Sequence, residues 1–181
     1  MTITSTSTTD SSSTSTTTST LHDSLAHPRW DDVVRAVAKR SFCLLATTSP
    51  SDRSHVAGVL YDEVDGALYV SVDRPSRKAR NIAANPHVAV TVPIRRIPVG
   101  PPSTAMFQTT ATVLANDDAE VQRLAAQGRL GTITGHGELD LASGCIVRID
   151  PPSVIHTYGL GLSLWRLIRE PLRGGGRVER P

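Results

Sequence analysis

The stretch Pro75-Ser76-Arg77-Lys78-Ala79-Arg80-Asn81-Ile82-Ala83-Ala84-Asn85-Pro86 decides how the rest of this chain is read. Ser76 is a good helix N-cap, Ile82 can face a core, and Pro86 ends the helix, so the spacing predicts one short helix over Ser76–Asn85. Its charges stand at the wrong end. Arg77, Lys78 and Arg80 crowd the first turn, where cations oppose the helix dipole at a cost of about 0.3–1 kcal/mol each when exposed. Free backbone N–H groups, a hydroxyl and three cations at one point make an anion site, and phosphate is the guest that fits. The plain alternative is a solvated basic face; the crowding into the first turn favours the anion site.

Working outward, the helix is embedded in strands. Phe42–Thr47 is a short apolar run, followed by a polar loop over Thr48–Ser54. His55–Tyr61 reads as a second strand, Asp65-Gly66 as a turn and Ala67–Val72 as a third strand. After the helix, His87–Val92 alternates and is β-branched, so it is a strand again. Ile94–Ala105, with Pro98, Gly100, Pro101 and Pro102, predicts a long loop. Met106–Leu114 returns to strand, and Cys145–Ile149 and Ser153–Tyr158 are the last two, separated by Pro151-Pro152.

Three further helices are indicated. Trp30, Val33, Val34, Val37 and Ala38 follow helical spacing, with Pro28 at the first helical position, Asp31 and Asp32 on the positive end of the dipole, and Lys39 and Arg40 closing the last turn. Asn116 caps a second helix ended by Gly128. Leu162–Arg169 forms a short amphipathic helix. Gly131–Leu141 carries too many glycines for a clear assignment, and Gly174–Gly176 reads as loose. Six to seven short, mostly hairpin-linked antiparallel strands with accessory helices predict an all-β class and a small barrel.

Between Thr2 and Thr20, every residue except Ile3 and Asp10 is Ser or Thr, so nothing there offsets the entropy of ordering. The expected organisation is a disordered tail over 1–22, one barrel domain over 25–170 and a flexible tail over 171–181. The Ser/Thr stretch lacks the basic start and apolar core of a secretory signal. No apolar run approaches the ~20 residues of a membrane helix. Cys43 and Cys145 lie far apart in apolar runs with no CxxC, as reduced core residues of a cytoplasmic protein would. The net charge of +2 and only seven aromatic residues argue against a nucleic-acid partner. Of 19 basic residues, only Lys39 and Lys78 are lysine, a skew that suits a GC-rich genome.

The signatures GxSxG, HExxH and Walker A are absent. The six histidines show no metal-ligand spacing, and His87, His136 and His156 read as structural. No metal site is expected. Tyr158–Gly161 resembles half of a nucleotide fingerprint but precedes a helix outside any βαβ unit.

The order of strand His55–Tyr61, turn, strand Ala67–Val72 and then PSRKARNIAANPHVAV resembles the flavin-binding split-barrel superfamily. That superfamily holds the pyridoxamine 5′-phosphate oxidase-like proteins and the actinobacterial flavin- and deazaflavin-dependent oxidoreductases. The likeness extends over about residues 25–160, with Ile149–Gly159 echoing the closing segment. The resemblance implies an FMN-binding split β-barrel in which two subunits pair and each cofactor lies in the groove between them. It places the phosphate of FMN or of coenzyme F-420 on Ser76, Arg77, Lys78 and Arg80, beside Asn81. It sets the ring on the backbone of His55, Val56, Ala57, Gly58 and Val59, with Ser71 and Val72 opposite and Gln108 within reach. Gly58 suits close approach of a flat ring, or else marks a bulge.

The implied activity is a flavin- or deazaflavin-dependent oxidoreductase moving a hydride to or from a small organic substrate. The cofactor would carry the chemistry, which accounts for the missing catalytic triad. The ending TYGLGLSLWRLIREPLRGGG departs from the Arg-rich, RLxP-type ending of true pyridoxamine 5′-phosphate oxidases, so pyridoxamine phosphate is not the expected substrate. The alternative of another class is a non-catalytic carrier or sensor that binds flavin or haem in the same barrel.

Overall fold

The computed structural model describes residues 28–95 and 103–181, and the Ser/Thr-rich stretch lies outside them. The described residues form one sheet of nine strands with helices packed on it. Helix α1 (Trp30–Ala38) buries Val33 and Val37 against the sheet. Its N-cap is Arg29, so Pro28 stands one residue outside the helix rather than at its first position.

The hairpin of β1 (Phe42–Thr48) and β2 (Ser54–Leu60) forms one end of the sheet, with Leu44 opposite Gly58 and Ala46 opposite Val56. A second hairpin joins β3 (Asp62–Val64) to β4 (Ala67–Asp73). Its turn is Asp65-Gly66, with φ of 53° and 88°. Positive φ at both central residues is what a two-residue hairpin matched to strand twist requires. Helix α2 (Arg77–Ala84) follows, then β5 (His87–Arg95) and β6 (Ser103–Ala115).

Strand β6 organises the molecule. Along one edge it pairs with β5, from Ser103 to Thr110. Its other edge is shared between two strands. Thr104–Met106 face β8 (Val154–Tyr158), and Ala111–Ala115 face β7 (Gly144–Ile149). The sheet therefore divides at β6 into β2-β1-β5 on one side and β7-β4-β3 on the other, with β8 and β9 (Gly175–Glu179) as a flap. Strand β2 comes beside β4 where the two parts curl together. This is a split β-barrel.

The interior is a continuous apolar cluster including Leu45, Tyr61, Val70, Val90, Val92 and Ile149. The Tyr61 hydroxyl donates to the Val37 carbonyl at 2.7 Å, fastening α1 to the barrel. A second cluster packs Val121 and Leu124 of α3 (Ala119–Ala126), and Ile133 of α4 (Gly131–Thr134), onto Tyr69 and Ile146. Helix α5 (Leu164–Arg169) spans the gap between β8 and β9.

Several expectations are corrected. The long loop is shorter than the prolines suggested, because Ile94 and Arg95 continue β5 and Ser103–Ala105 begin β6. Pro93 lies beyond the residues that pair with β1, at a register shift where a missing N–H is tolerated. Residues 96–102 of that predicted loop lie outside the described residues. The N-cap of α3 is Asp118, whose carboxylate accepts from the Glu120 N–H at 2.8 Å. Asn116 instead donates to the carbonyls of Glu138, Leu139 and Leu141. The nine strands exceed the six to seven expected, with β3 and β9 unforeseen.

The flexible tail expected over 171–181 is likewise overturned. Pro171–Arg173 is a 3-10 turn and β9 pairs along the whole of β8, from Val154–Glu179 to Tyr158–Gly175. Glycine misled the reading. A Cβ at Gly176 would stand 2.7 Å from the Thr157 hydroxyl, so the residue serves close strand approach. Removing residues 175–181 should cost about 2 kcal/mol or more, from burial of Val178 alone, and bare the β8 edge. Thermal unfolding of the truncated chain should show a Tm lower by several degrees, where a loose tail would leave it unchanged.

Candidate functional site

Helix α2 is positioned by its two ends. The Ser76 hydroxyl accepts from the Ala79 N–H at 3.4 Å, and Ala79 and Ile82 are buried. Asn81 is 4% exposed and its side-chain amide donates to the Thr47 hydroxyl at 3.0 Å. That bond ties α2 to β1. Asn81 therefore acts first as a tether for the helix that carries the cations.

With α2 fixed, Arg77, Arg80 and Asn81, at i, i+3 and i+4, share the face turned to the β1–β2 loop. They line a cleft of about 440 Å³ together with Ser49, Ser51, Arg53, Ser54 and His55. The loop is self-closed: the Ser49 hydroxyl accepts from the Arg53 N–H at 3.1 Å and shares a 3.1 Å hydrogen bond with the Ser51 hydroxyl. Three guanidiniums and a set of hydroxyls thus line one cleft beside the start of α2.

The lining of the cleft differs from the predicted set. Arg53 lines it and was not among the predicted residues, since Arg77 and Arg80 are 24 and 27 residues away in sequence. Lys78 does not line it. Lys78 is half-buried on another side of α2, near enough to Cys145 that its charge, with that of Arg74, opposes the rise that burial imposes on the Cys145 thiol. Ser76 caps the helix and does not line the cleft.

A second, wider cleft of about 640 Å³ opens on the outward face of β1, β5 and β6. Ala46, Ala89 and Gln108 form a row across its floor, with Ala46 opposite Ala89 and Ala89 opposite Gln108. Thr48, Ser54, His87 and Thr110 line it as well. Ser54 belongs to both clefts, and the Asn81–Thr47 bond lies at their junction. Together they make one groove, with a cationic end and a long floor of small and polar side chains. His87, read as structural, is an exposed wall of this groove, and His136 and His156 are likewise exposed.

The remaining predicted ring-contact residues line neither cleft. Val56 and Gly58 are exposed on β2, Ala57 is half-buried and Val59 is buried, and none lines either cleft. Ser71 and Val72 lie on β4, opposite Ile146 and Cys145, and line neither cleft. At Gly58 the room left by the missing side chain is already taken. A Cβ there would lie 2.9 Å from Cε2 and 3.0 Å from Cζ of Phe42.

The groove floor has a built support. The Thr110 hydroxyl donates to Asp150 Oδ2 at 2.6 Å, and the Thr109 hydroxyl donates to the Asp150 carbonyl at 3.0 Å. Arg148 grips Asp150 Oδ1 through Nε and Nη2, at 3.1 and 2.7 Å, and reaches Glu120 with Nη1 at 3.2 Å. The Tyr69 hydroxyl donates to Glu120 as well. Burial and then the Glu120 carboxylate push the Tyr69 phenol well above its ordinary value, so it stays a proton donor. Burial alone would raise the Asp150 carboxyl. The Thr110 hydroxyl and the Arg148 guanidinium outweigh it and hold the carboxyl below its usual range.

The fold and groove define a split-barrel protein whose groove has a cationic end. The profile of the pyridoxamine 5′-phosphate oxidase family matches residues 30–156, and the chain belongs to that family. Among solved structures it resembles the haem-binding protein of Mycobacterium smegmatis (TM-score 0.58, 16% identity, 70% of this chain and 52% of that one). It also resembles the haem storage protein HutZ of Vibrio cholerae (TM-score 0.56, 20% identity, 68% and 91%). A third is a pyridoxamine 5′-phosphate oxidase-related FMN-binding protein of Nostoc punctiforme (TM-score 0.55, 15% identity, 77% and 88%). The chain thus spans about half of the mycobacterial protein and most of the other two. At these identities the likeness is one of fold. No curated protein matches the sequence as a relative.

Asp150 gives a pH prediction. A carboxyl held below its unfolded value stabilises fully above about pH 4, and that contribution is lost as pH falls through its folded value. Asp150→Asn should cost about 1–3 kcal/mol at pH 7. The difference from the wild type should shrink below about pH 4. Urea unfolding at pH 7 and pH 3 measures both.

Proposed function

We propose that this chain binds a phosphate-bearing flavin-type cofactor, FMN or coenzyme F-420, in the groove. The cofactor's phosphate sits between Arg53, Arg77 and Arg80, and its ring lies along the Ala46–Ala89–Gln108 floor. The observation that carries this is the junction of the two clefts: a cationic end opens onto a floor of small side chains that a flat ring can approach. Guanidiniums recognise phosphate through paired N–H groups, and the three hydroxyls of Ser49, Ser51 and Ser54 add donors to the same end.

On this reading the protein is an oxidoreductase acting on a small organic substrate other than pyridoxamine phosphate. Bound flavin or deazaflavin supplies hydride transfer; the chain supplies binding, orientation and a shaped wall. His87, Gln108 and Thr110 are among the polar groups that line the floor, with Thr110 pinned by Asp150.

The working unit of the proposal is a homodimer. Beside the groove, the outward face of β1, β2, β5 and β6 exposes Leu44, Val56, Leu60 and Met106, with Val56 59% exposed. Leu44 stands opposite Gly58 and Thr91, and Thr91 opposite Met106, so this face runs across four strands next to Ala46 and Ala89, apolar on β2, β1 and β6 and broken by Thr91 on β5. A second copy on that face would bury it and wall the groove. The similar folds of the haem-binding protein of Mycobacterium smegmatis and the haem storage protein HutZ support one other reading, a non-catalytic haem carrier using the same groove.

Titration separates these readings. FMN should bind more tightly than riboflavin, which lacks the phosphate. Arg77→Ala and Arg80→Ala together should weaken FMN by at least about tenfold, the worth of 1.4 kcal/mol, while barely moving riboflavin. A Soret band with saturable haem binding and no flavin binding would favour the carrier. For assembly, Val56→Asp should convert the dimer to monomer in sedimentation and weaken flavin binding in parallel; a wild-type monomer would remove the shared-groove proposal.

A further inference from the structure

A further cleft lies apart from the groove. It lies on the inner face of the sheet, roofed by α1, with a volume of about 360 Å³. Val34 of α1, Leu68 of β4, Phe107 of β6 and Ile155 of β8 supply its apolar walls. Phe107 precedes Gln108, so the two point to opposite faces of β6 and the cleft is separated from the groove by a single layer of strand. A volume at the small end of the range for ligand pockets admits a small molecule and excludes a flavin-sized one.

The rim sets the charge. Three ionisable side chains stand there, Glu63, Asp65 and Arg180. Both carboxylates are engaged: Asp65 accepts from Arg129 at 3.1 and 3.4 Å, and Glu63 Oε1 accepts from the Gly66 N–H at 2.5 Å. Arg180 has no carboxylate partner among the described residues. Its guanidinium lies over the Trp30 ring, 5.8 Å from the centroid, and its backbone N–H is fixed by the Ser153 carbonyl at 2.9 Å. A guanidinium stacked on an aromatic face keeps its in-plane N–H groups directed outward, the geometry that receives a carboxylate.

We propose that this cleft is a second ligand site, for a small hydrophobic carboxylic acid. The carboxylate pairs with Arg180 at the rim and the apolar body lies between Val34, Leu68, Phe107 and Ile155. The site is independent of the groove: it uses none of Arg53, Arg77 or Arg80 and stands whether or not a flavin binds there.

Trp30 on the rim reports occupancy. In the full chain carrying Trp165→Phe, which removes the other, exposed indole, octanoate should change Trp30 fluorescence saturably in the micromolar to millimolar range. Octanol, with the same body and no charge, should bind more weakly, and octylamine no more tightly than octanol, because Arg180 repels an ammonium while Glu63 and Asp65 are already engaged by the Gly66 N–H and Arg129. Arg180→Gln should weaken octanoate about tenfold and leave octanol unchanged, while Arg180→Lys should restore part of the loss. Four results would overturn the proposal: no saturable response to octanoate, octylamine binding as tightly as octanoate, an Arg180→Gln chain that binds octanoate normally, or equal loss of octanoate and octanol in that variant.

Discussion

Strand β6 has three neighbours, and a strand has only two edges. One edge is given wholly to β5; the other is divided between β8 near Thr104–Met106 and β7 at Ala111–Ala115. That division forces the sheet apart into two halves that curl towards each other. The outward face of β1, β5 and β6 becomes the floor of the groove. The same alternation sends Phe107 inward to the core and Gln108 outward to the groove. The groove floor and the inner cleft therefore lie on opposite faces of β6.

The chemistry of the groove then rests on how α2 is held. A helix with Arg77 and Arg80 in its first two turns is electrostatically unfavourable alone, and the barrel compensates through burial of Ala79 and Ile82 and the Asn81–Thr47 bond. Because that bond ends on β1, the cations are fixed relative to the Ala46 floor rather than to a loop. Support from below comes through the chain Thr110, Asp150, Arg148, Glu120 and Tyr69, which links the floor to the packing under α3. Site and scaffold share their hydrogen bonds.

Much of this was legible in the amino-acid sequence. Asp65-Gly66 announced its hairpin because few residue pairs accept positive φ twice in succession, and Pro86 marked the end of α2 because a ring before a strand cannot continue a helix. The separation of Lys78 from Arg77 and Arg80 was also available in principle. Residues at i and i+3 share a helix face, and the residue at i+1 is turned about 100° away from it. Arg53 was not legible, since only the folded β1–β2 loop brings it to α2. Strand β9 was hidden by its glycines, whose absent side chains here admit Thr157 rather than confer looseness. Gly58 carried a real signal, the need for close approach, but the approaching group is Phe42 of the same chain.

A crystal structure of the full chain with FMN would test the central claim most directly. The account predicts the phosphate within hydrogen-bonding distance of the Arg77 and Arg80 guanidiniums, with Arg53 and the serine hydroxyls around it and the ring along Ala46, Ala89 and Gln108. A flavin whose phosphate lies on Lys78 and away from Arg77 and Arg80, or a groove that stays closed to flavin, would contradict it.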